Sequence, residues 1–181
     1  MEKEKNIAEE KNRKSFLKKY ELPIERPNFI EYFLLLASDV SLRSDDPNIR
    51  HGAIITTLEH NIIGTGYNGT VQKSDLNKIP LNIRDKKRKY MIHAEENAML
   101  NCMINPKAIG GARIFVTGLP CINCLQRLIN FNIKEVYYAD RVGTITEDEE
   151  SHMIRANIME MSDIKLFKIK IDSFWMKKNY V

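Results

Sequence analysis

Apolar residues first recur at helical spacing between Asn28 and Arg43. Ile30, Phe33, Leu34, Ala37 and Val40 fall on one face there and predict a core-packing helix. The period then shortens. Gly52–Leu58, with Ala53, Ile54 and Ile55, and Ile62–Tyr67 read as two strands joined by the reversal Glu59-His60-Asn61, which leaves His60 on an exposed turn with no chemical role. Helical spacing returns from Met91 to Met103, with Ala98, Met99, Met103 and Ile104 towards a core. Beyond it, Ala112–Thr117 reads as a strand, Cys121–Asn130 as a helix and Lys134–Ala139 as a strand. Glu147–Met161 reads as a helix with Met153, Ile154, Ala156, Ile158 and Met159 apolar, and Ile164–Lys170 as a last strand. Strands alternating with helices after an opening hairpin predict an α/β fold: a five-stranded mixed sheet in a three-layer α-β-α arrangement, with helices on both faces.

The polar punctuation adds detail. Ser44-Asp45-Asp46-Pro47-Asn48 is turn chemistry. The second strand runs out into Gly64-Thr65-Gly66-Tyr67-Asn68-Gly69, where Asn-Gly predicts a tight turn at positive φ, with the Asn68 side chain on a rim facing a ligand. Thr70–Tyr90 has no periodicity, and irregular segments of that length are usually functional or disordered. Its basic residues Lys73, Lys78, Arg84, Lys86, Lys87, Arg88 and Lys89 outweigh Asp75 and Asp85. The plain reading of such a run is a solvated face; the alternative is phosphate recognition, because the run feeds directly into the helix that follows. Glu147-Asp148-Glu149-Glu150 opens a helix and complements its dipole rather than binding metal. Residues 1–25 form a charged N-terminal extension, residues 26–181 the main domain, and Phe174-Trp175-Met176 is apolar enough to dock on the domain or on another subunit.

Composition narrows the class. A chain of 181 residues with 43% hydrophobic and 29% charged residues suits one soluble domain with a real core. The net charge of +4 permits an anionic ligand without marking a nucleic-acid binder. Three cysteines make no disulfide framework, so a reducing, cytoplasmic setting is expected, and Cys102 reads as a small core or half-exposed thiol. The charged N-terminus does not read as a secretory signal, and the apolar run Phe33–Ala37 is too short for a membrane span.

The chemistry concentrates in His93-Ala94-Glu95 and in Pro120-Cys121-Ile122-Asn123-Cys124. One imidazole and two thiolates make three zinc ligands, and a site with three protein ligands keeps its fourth position for water. Zinc lowers the pKa of such water from about 15.7 towards ~7, and a carboxylate two residues from the histidine is a natural proton carrier. Cys121 and Cys124 share a helix face at i, i+3, and a helix start favours the thiolate form. Either half alone is weak, since His-x-Glu is common on surface helices and Cys-x-x-Cys also occurs as a redox pair or half a structural zinc knot. Together they match the signature of the zinc nucleobase deaminases.

The sequence resembles the deoxycytidylate (dCMP) deaminase family of the cytidine-deaminase superfamily. The likeness runs from Phe29 to Lys170 through Ser44-Asp45-Asp46-Pro47-Asn48 with Gly52-Ala53, Gly64 to Gly69, His93 to Ala98 and Leu119 to Cys124. It implies a cytidine-deaminase-like fold, zinc on His93, Cys121 and Cys124, and Glu95 as the catalytic proton shuttle. It also implies Asn68 on the nucleotide sugar, with Ala94, Leu119 and Pro120 as walls around the pyrimidine and Tyr90 as an aromatic before the zinc helix. The implied activity is hydrolytic conversion of dCMP to dUMP and ammonia, supplying dUMP for thymidylate synthesis. The family's oligomers, dimeric or hexameric, and its regulation by dCTP and dTTP with Mg2+ come with the resemblance. The chain departs from the family's pattern at Thr70-Val71-Gln72-Lys73, at His51 where a small aliphatic residue is usual, and near Val142.

If the substrate carries phosphate, Arg50 near Asn68 and Arg88 in the basic run are the candidate ligands, since a planar guanidinium grips two oxygens at once. The same chemistry would serve dCTP, cytidine, a riboflavin precursor or a tRNA adenosine. Tyr90 is the one aromatic between Thr70 and Tyr90, which favours a mononucleotide over a polynucleotide needing stacking platforms. A zinc-stabilised module without turnover would have no use for Glu95.

Overall fold

The computed structural model describes residues 10–11, 27–139 and 148–170. The N-terminal extension (apart from residues 10–11), Val142 and the Phe174-Trp175-Met176 tail lie outside the described residues. Residues Phe29–Lys170 form one compact unit.

Helix α1 (Phe29–Ser41) buries Phe33, Leu34, Ala37 and Ser41, positions of one helical face. Strands β1 (Gly52–Thr56) and β2 (Ile62–Tyr67) form the antiparallel hairpin, and every β1 residue is buried. That is the signature of a strand covered on both faces. Helix α2 (Arg84–Lys87) is a single turn, α3 (Ala94–Leu100) two turns, and β3 (Ala112–Val116), α4 (Ile122–Asn130), β4 (Ile133–Ala139), α5 (Glu149–Glu160) and β5 (Lys165–Ile169) complete the chain. The sheet order is β2-β1-β3-β4-β5; β1 is antiparallel to both neighbours, and β3, β4 and β5 are parallel. This is the mixed five-stranded sheet expected.

The two faces are filled differently. Towards α1 stand Ile54 and its cross-strand partner Phe115, followed by Tyr137 and Phe167 in register; the rings of Phe33, Phe115, Tyr137 and Phe167 succeed one another at 4.8, 5.1 and 4.8 Å. The opposite face carries Ala53, Ile55, Ile114, Val116 and Val136 and packs against Ala94 and Ala98 of α3 and Leu125 and Leu128 of α4. Exposed Lys165 and Lys168 mark β5 at the sheet edge.

Gly64 and Gly66 let α3 lie directly on β2. A Cβ on Gly66 would stand 2.2 Å from Ala98 N and 2.4 Å from Ala94 O, both backbone atoms that cannot swing aside. Gly66→Ala should therefore push α3 off the sheet and destabilise the fold by roughly 1–3 kcal/mol, as overpacking does. Urea unfolding checks it, and an unchanged midpoint would mean that the helix gives way freely.

Several expectations are corrected. The helix predicted over Met91–Met103 is shorter: it stops at Leu100, and Met103 and Ile104 are 81% and 43% exposed rather than in the core. Met103 N instead bonds Ile63 O as the chain leaves the helix, and Asn105 then caps a 3-10 turn at Pro106–Ile109. In α5 the buried residue is Arg155, while Met153 and Ile154 are exposed. Asp148 does cap that helix, accepting from Ser151 N at 2.7 Å. Gly69 makes no positive-φ turn; it pairs with Ile92 through two backbone hydrogen bonds of 3.1 and 2.7 Å. That bridge closes the neck of the 70–91 segment, which contains a 3-10 turn at Leu76–Lys78 as well as α2. His60 does sit at positive φ in the hairpin turn, yet it is half-buried, with its ring stacked 4.1 Å from Phe29.

Candidate active site

Two helix starts meet beside the end of β3. His93 is the N-cap residue of α3 and makes no side-chain capping bond, so its imidazole is left to other partners. Cys121 is the N-cap of α4, and its sulfur accepts from Cys124 N at 3.4 Å. The His93 Nδ1 lies 3.5 Å from Cys121 Sγ and 3.3 Å from Cys124 Sγ, and the three donor atoms all fall within 4.8 Å of one another. Ligands on a tetrahedral zinc, with Zn–S of ~2.3 Å and Zn–N of ~2.0–2.1 Å, stand about 3.5 Å apart, so the donor set fits that ion.

The electrostatics agree. Hydrogen bonding from Cys124, then from His93, pulls the Cys121 thiol well below its usual range, which favours the thiolate form. The shared proton, with burial, pushes Cys124 far up, and the Cys121 contact raises His93. Two sulfurs and an imidazole crowded around one proton are a donor set that a divalent cation relieves. Glu95, the second residue of α3, is 5% exposed and is not one of the three clustered donors. Burial pushes its carboxyl above the usual carboxylate range.

A cleft opens beside this cluster; His93, Ala94, Glu95, Leu119 and Cys121 line it together with Asp46, Arg84, Lys87 and Arg88. Asn68 and His51 also face it. The Asn68 amide spans the entry to β1, accepting from His51 N at 2.7 Å and donating to Ile49 O at 2.9 Å, so it holds the backbone as well as bordering the cleft. The His51 Nδ1 is 3.2 Å from Thr117 Oγ1, which also accepts from Gly52 N at 3.1 Å.

Three residues expected to contact substrate are not among those that line the cleft. Arg50 is exposed, does not line the cleft, and turns its Nε towards Asp46 O at 3.4 Å. Tyr90 is 50% exposed and outside the lining, because α2 ends just before it and its N–H closes back on Lys87 O. Pro120 is buried with its carbonyl taken by Arg155 Nη1 at 2.8 Å. Arg155 and Asp46 were not foreseen as parts of this region. Spacing could have flagged Arg84, since residues 84, 87 and 88 are i, i+3 and i+4 on one helix face. Cys102 stays apart, half-buried, its thiol pushed up to about 11 by burial.

Fold and site together define the class of the zinc-dependent nucleobase deaminases. Comparison with known proteins narrows the assignment. A sequence profile of the cytidine and deoxycytidylate deaminase zinc-binding region matches residues 27–140, and the chain belongs to that family. ComE operon protein 2 of Bacillus subtilis (strain 168) is 32% identical over 153 residues, 82% of this chain and 75% of that protein. Deoxycytidylate deaminase of Homo sapiens is 36% identical over 113 residues, 60% of this chain and 62% of that protein, so the match spans less than two thirds of the human enzyme. Among solved structures, dCMP deaminase from the cyanophage S-TIM5 in complex with dCMP and dUMP superposes with a TM-score of 0.61 at 22% identity. It covers 80% of this chain and 99% of that one, a likeness of fold.

Proposed function

We propose that the protein deaminates dCMP to dUMP and ammonia, with zinc held by His93, Cys121 and Cys124. The observation that carries this reading is a single cleft running from the His–Cys–Cys cluster and buried Glu95 to Arg84 and Arg88. Neither arginine makes a side-chain ion pair among the described residues, so both are available to an anion.

When bound, zinc supplies the Lewis acidity that activates water at neutral pH. Glu95 takes the proton from the attacking water and places it on N3 of the cytosine ring. As C4 changes from amine-bearing to carbonyl, Glu95 takes the proton of the C4 hydroxyl and passes it to the departing nitrogen, which leaves as ammonia. The burial that raises Glu95 suits a group that must carry a proton within each of those transfers. Ala94 and Leu119 line the cleft and are assigned to the ring, and Asn68, also in the lining, to the sugar. Arg84 and Arg88 take the 5′-phosphate, where the sequence had suggested Arg50 and Arg88.

The setting proposed is reducing and cytoplasmic, because the site requires two thiolates; among the described residues no helix is long and apolar enough to cross a membrane. Self-association is also proposed, supported by Phe167, 37% exposed at the sheet edge. Regulation by dCTP and dTTP with Mg2+ is carried by the family resemblance alone.

Ammonia release from dCMP, dCTP, cytidine, deoxycytidine and an adenosine-containing tRNA loop, measured side by side, tests the substrate. A charge-assisted contact is worth about 1.5–3 kcal/mol, so dCMP should exceed deoxycytidine by ~10–150-fold in kcat/KM for each phosphate contact. Preference for the unphosphorylated nucleoside, or for the RNA loop, would overturn the reading.

A further inference from the structure

Arg84, Lys87 and Arg88 all line the cleft, yet they are not equivalent. Lys87 is 4% exposed, whereas the two arginines are exposed. The Lys87 Nζ lies 2.6 Å from Asp46 Oδ1, and the two side chains are only 5% and 6% exposed. The same Asp46 oxygen accepts from Asn48 N at 2.8 Å and Ile49 N at 3.0 Å, so this carboxylate also shapes the turn that leads into β1. Burial works against ionisation of Asp46, but the hydrogen bonds from Lys87, Asn48 and Ile49 hold its carboxyl below the usual range.

We propose that Lys87 is a positioning residue: bound to Asp46, it fixes α2 against the 44–49 turn so that Arg84 and Arg88, rather than Lys87, present their charge to the anionic end of the substrate. The proposal rests on the nucleotide reading above and says which residues make it work.

Two arguments support it. A helix of four residues has no independent stability, so its place must come from tertiary contacts. The 70–91 segment is closed at its neck by the Gly69–Ile92 bridge, and Lys87–Asp46 is a buried link between residues 41 positions apart that ties α2 to the 44–49 turn. Charge accounting gives the second argument. Asp46 already neutralises Lys87, and a lysine that turned to a phosphate would abandon a buried carboxylate, the outcome that is strongly disfavoured. Arg84 and Arg88 flank Lys87 on the same helix face and carry no such obligation among the described residues, and their planar forks suit phosphate.

The test uses zinc-loaded full-length protein and steady-state deamination of dCMP and deoxycytidine. Asp46→Asn/Lys87→Met removes both buried charges together, and the introduced amide oxygen can still accept from Asn48 and Ile49. Its KM for dCMP should rise about tenfold or more while kcat at saturating dCMP stays within about threefold, and preference over deoxycytidine should shrink with the KM change. Lys87→Arg, which keeps a cation opposite Asp46, should bring the preference back to within about threefold of wild type. Arg84→Gln/Arg88→Gln should show the same loss, and combining all four changes should add nothing further, because the pair acts through the arginines. A parallel fall in kcat for both substrates, an undiminished preference, or effects that multiply in the combined variant would each overturn the role given to Lys87. The wild-type arm separately tests the reading underneath: equal use of dCMP and deoxycytidine there would remove the nucleotide assignment along with the inference.

Discussion

Glu95→Gln should yield a protein that holds its zinc and binds dCMP but turns it over ~10²–10⁴-fold more slowly, the range general acid–base catalysis usually supplies. The amide keeps the shape of a side chain that is 5% exposed, so the cleft should not collapse. What it removes is the ability to accept a proton from water and return it to the leaving nitrogen. Zinc content and dCMP affinity by calorimetry, set beside kcat, separate the two effects. Turnover within about threefold of wild type would take the proton shuttle away from Glu95. Loss of zinc in this variant would instead make Glu95 a ligand, contrary to its place outside the cluster of donors.

Cys124→Ala should empty the site. The residue is 1% exposed and its sulfur lies 3.3 Å from the His93 imidazole, so no water can substitute for it with the same charge. Disturbing a group merely behind a ligand weakens metal binding by ~10–100-fold, and removing a ligand should exceed that. Elemental analysis after gel filtration should fall from one zinc per chain to a trace, with activity lost in proportion. Cys102→Ala is the control: its thiol belongs to the core beside Gly64, and zinc should stay at one per chain. Equal zinc in the Cys124→Ala and wild-type proteins would dismiss Cys124 as a ligand.

The sheet and the zinc cluster were legible because each is written in local code. β1, β2, β3, β4 and β5 all begin and end within two residues of where hydrophobic runs place them, since strands of a covered sheet are selected for continuous apolar character. His93, Cys121 and Cys124 were legible because metal ligands must be those residue types at those spacings. The part of the cleft's lining around Asp46 was not. Asp46 read as an ordinary turn residue, which it also is, because its backbone contacts are local while its partner lies 41 positions away. Arg50 looked well placed from its neighbour Asn68, but Asn68 turns its amide to Ile49 and His51 and leaves Arg50 outside the lining. Met103 and Ile104 misled for a different reason: helical periodicity continues through them, and only Asn101 and the return of Met103 N to Ile63 O end the helix early. Arg155 was hidden inside an apolar stretch that reads as a core face, although the residue that helix buries is the arginine.

The Gly69–Ile92 bridge has a consequence for how such an enzyme could diversify. With its neck fixed by two backbone hydrogen bonds, the stretch between, Lys87 with its buried partner Asp46 apart, can be exchanged or lengthened without moving His93, which follows the bridge by one residue. The entropic charge for a longer loop is small, about 0.6 kcal/mol for each doubling of its length. The segment is therefore a cassette: its contents can be rewritten for a new ligand while the metal-binding floor is inherited unchanged.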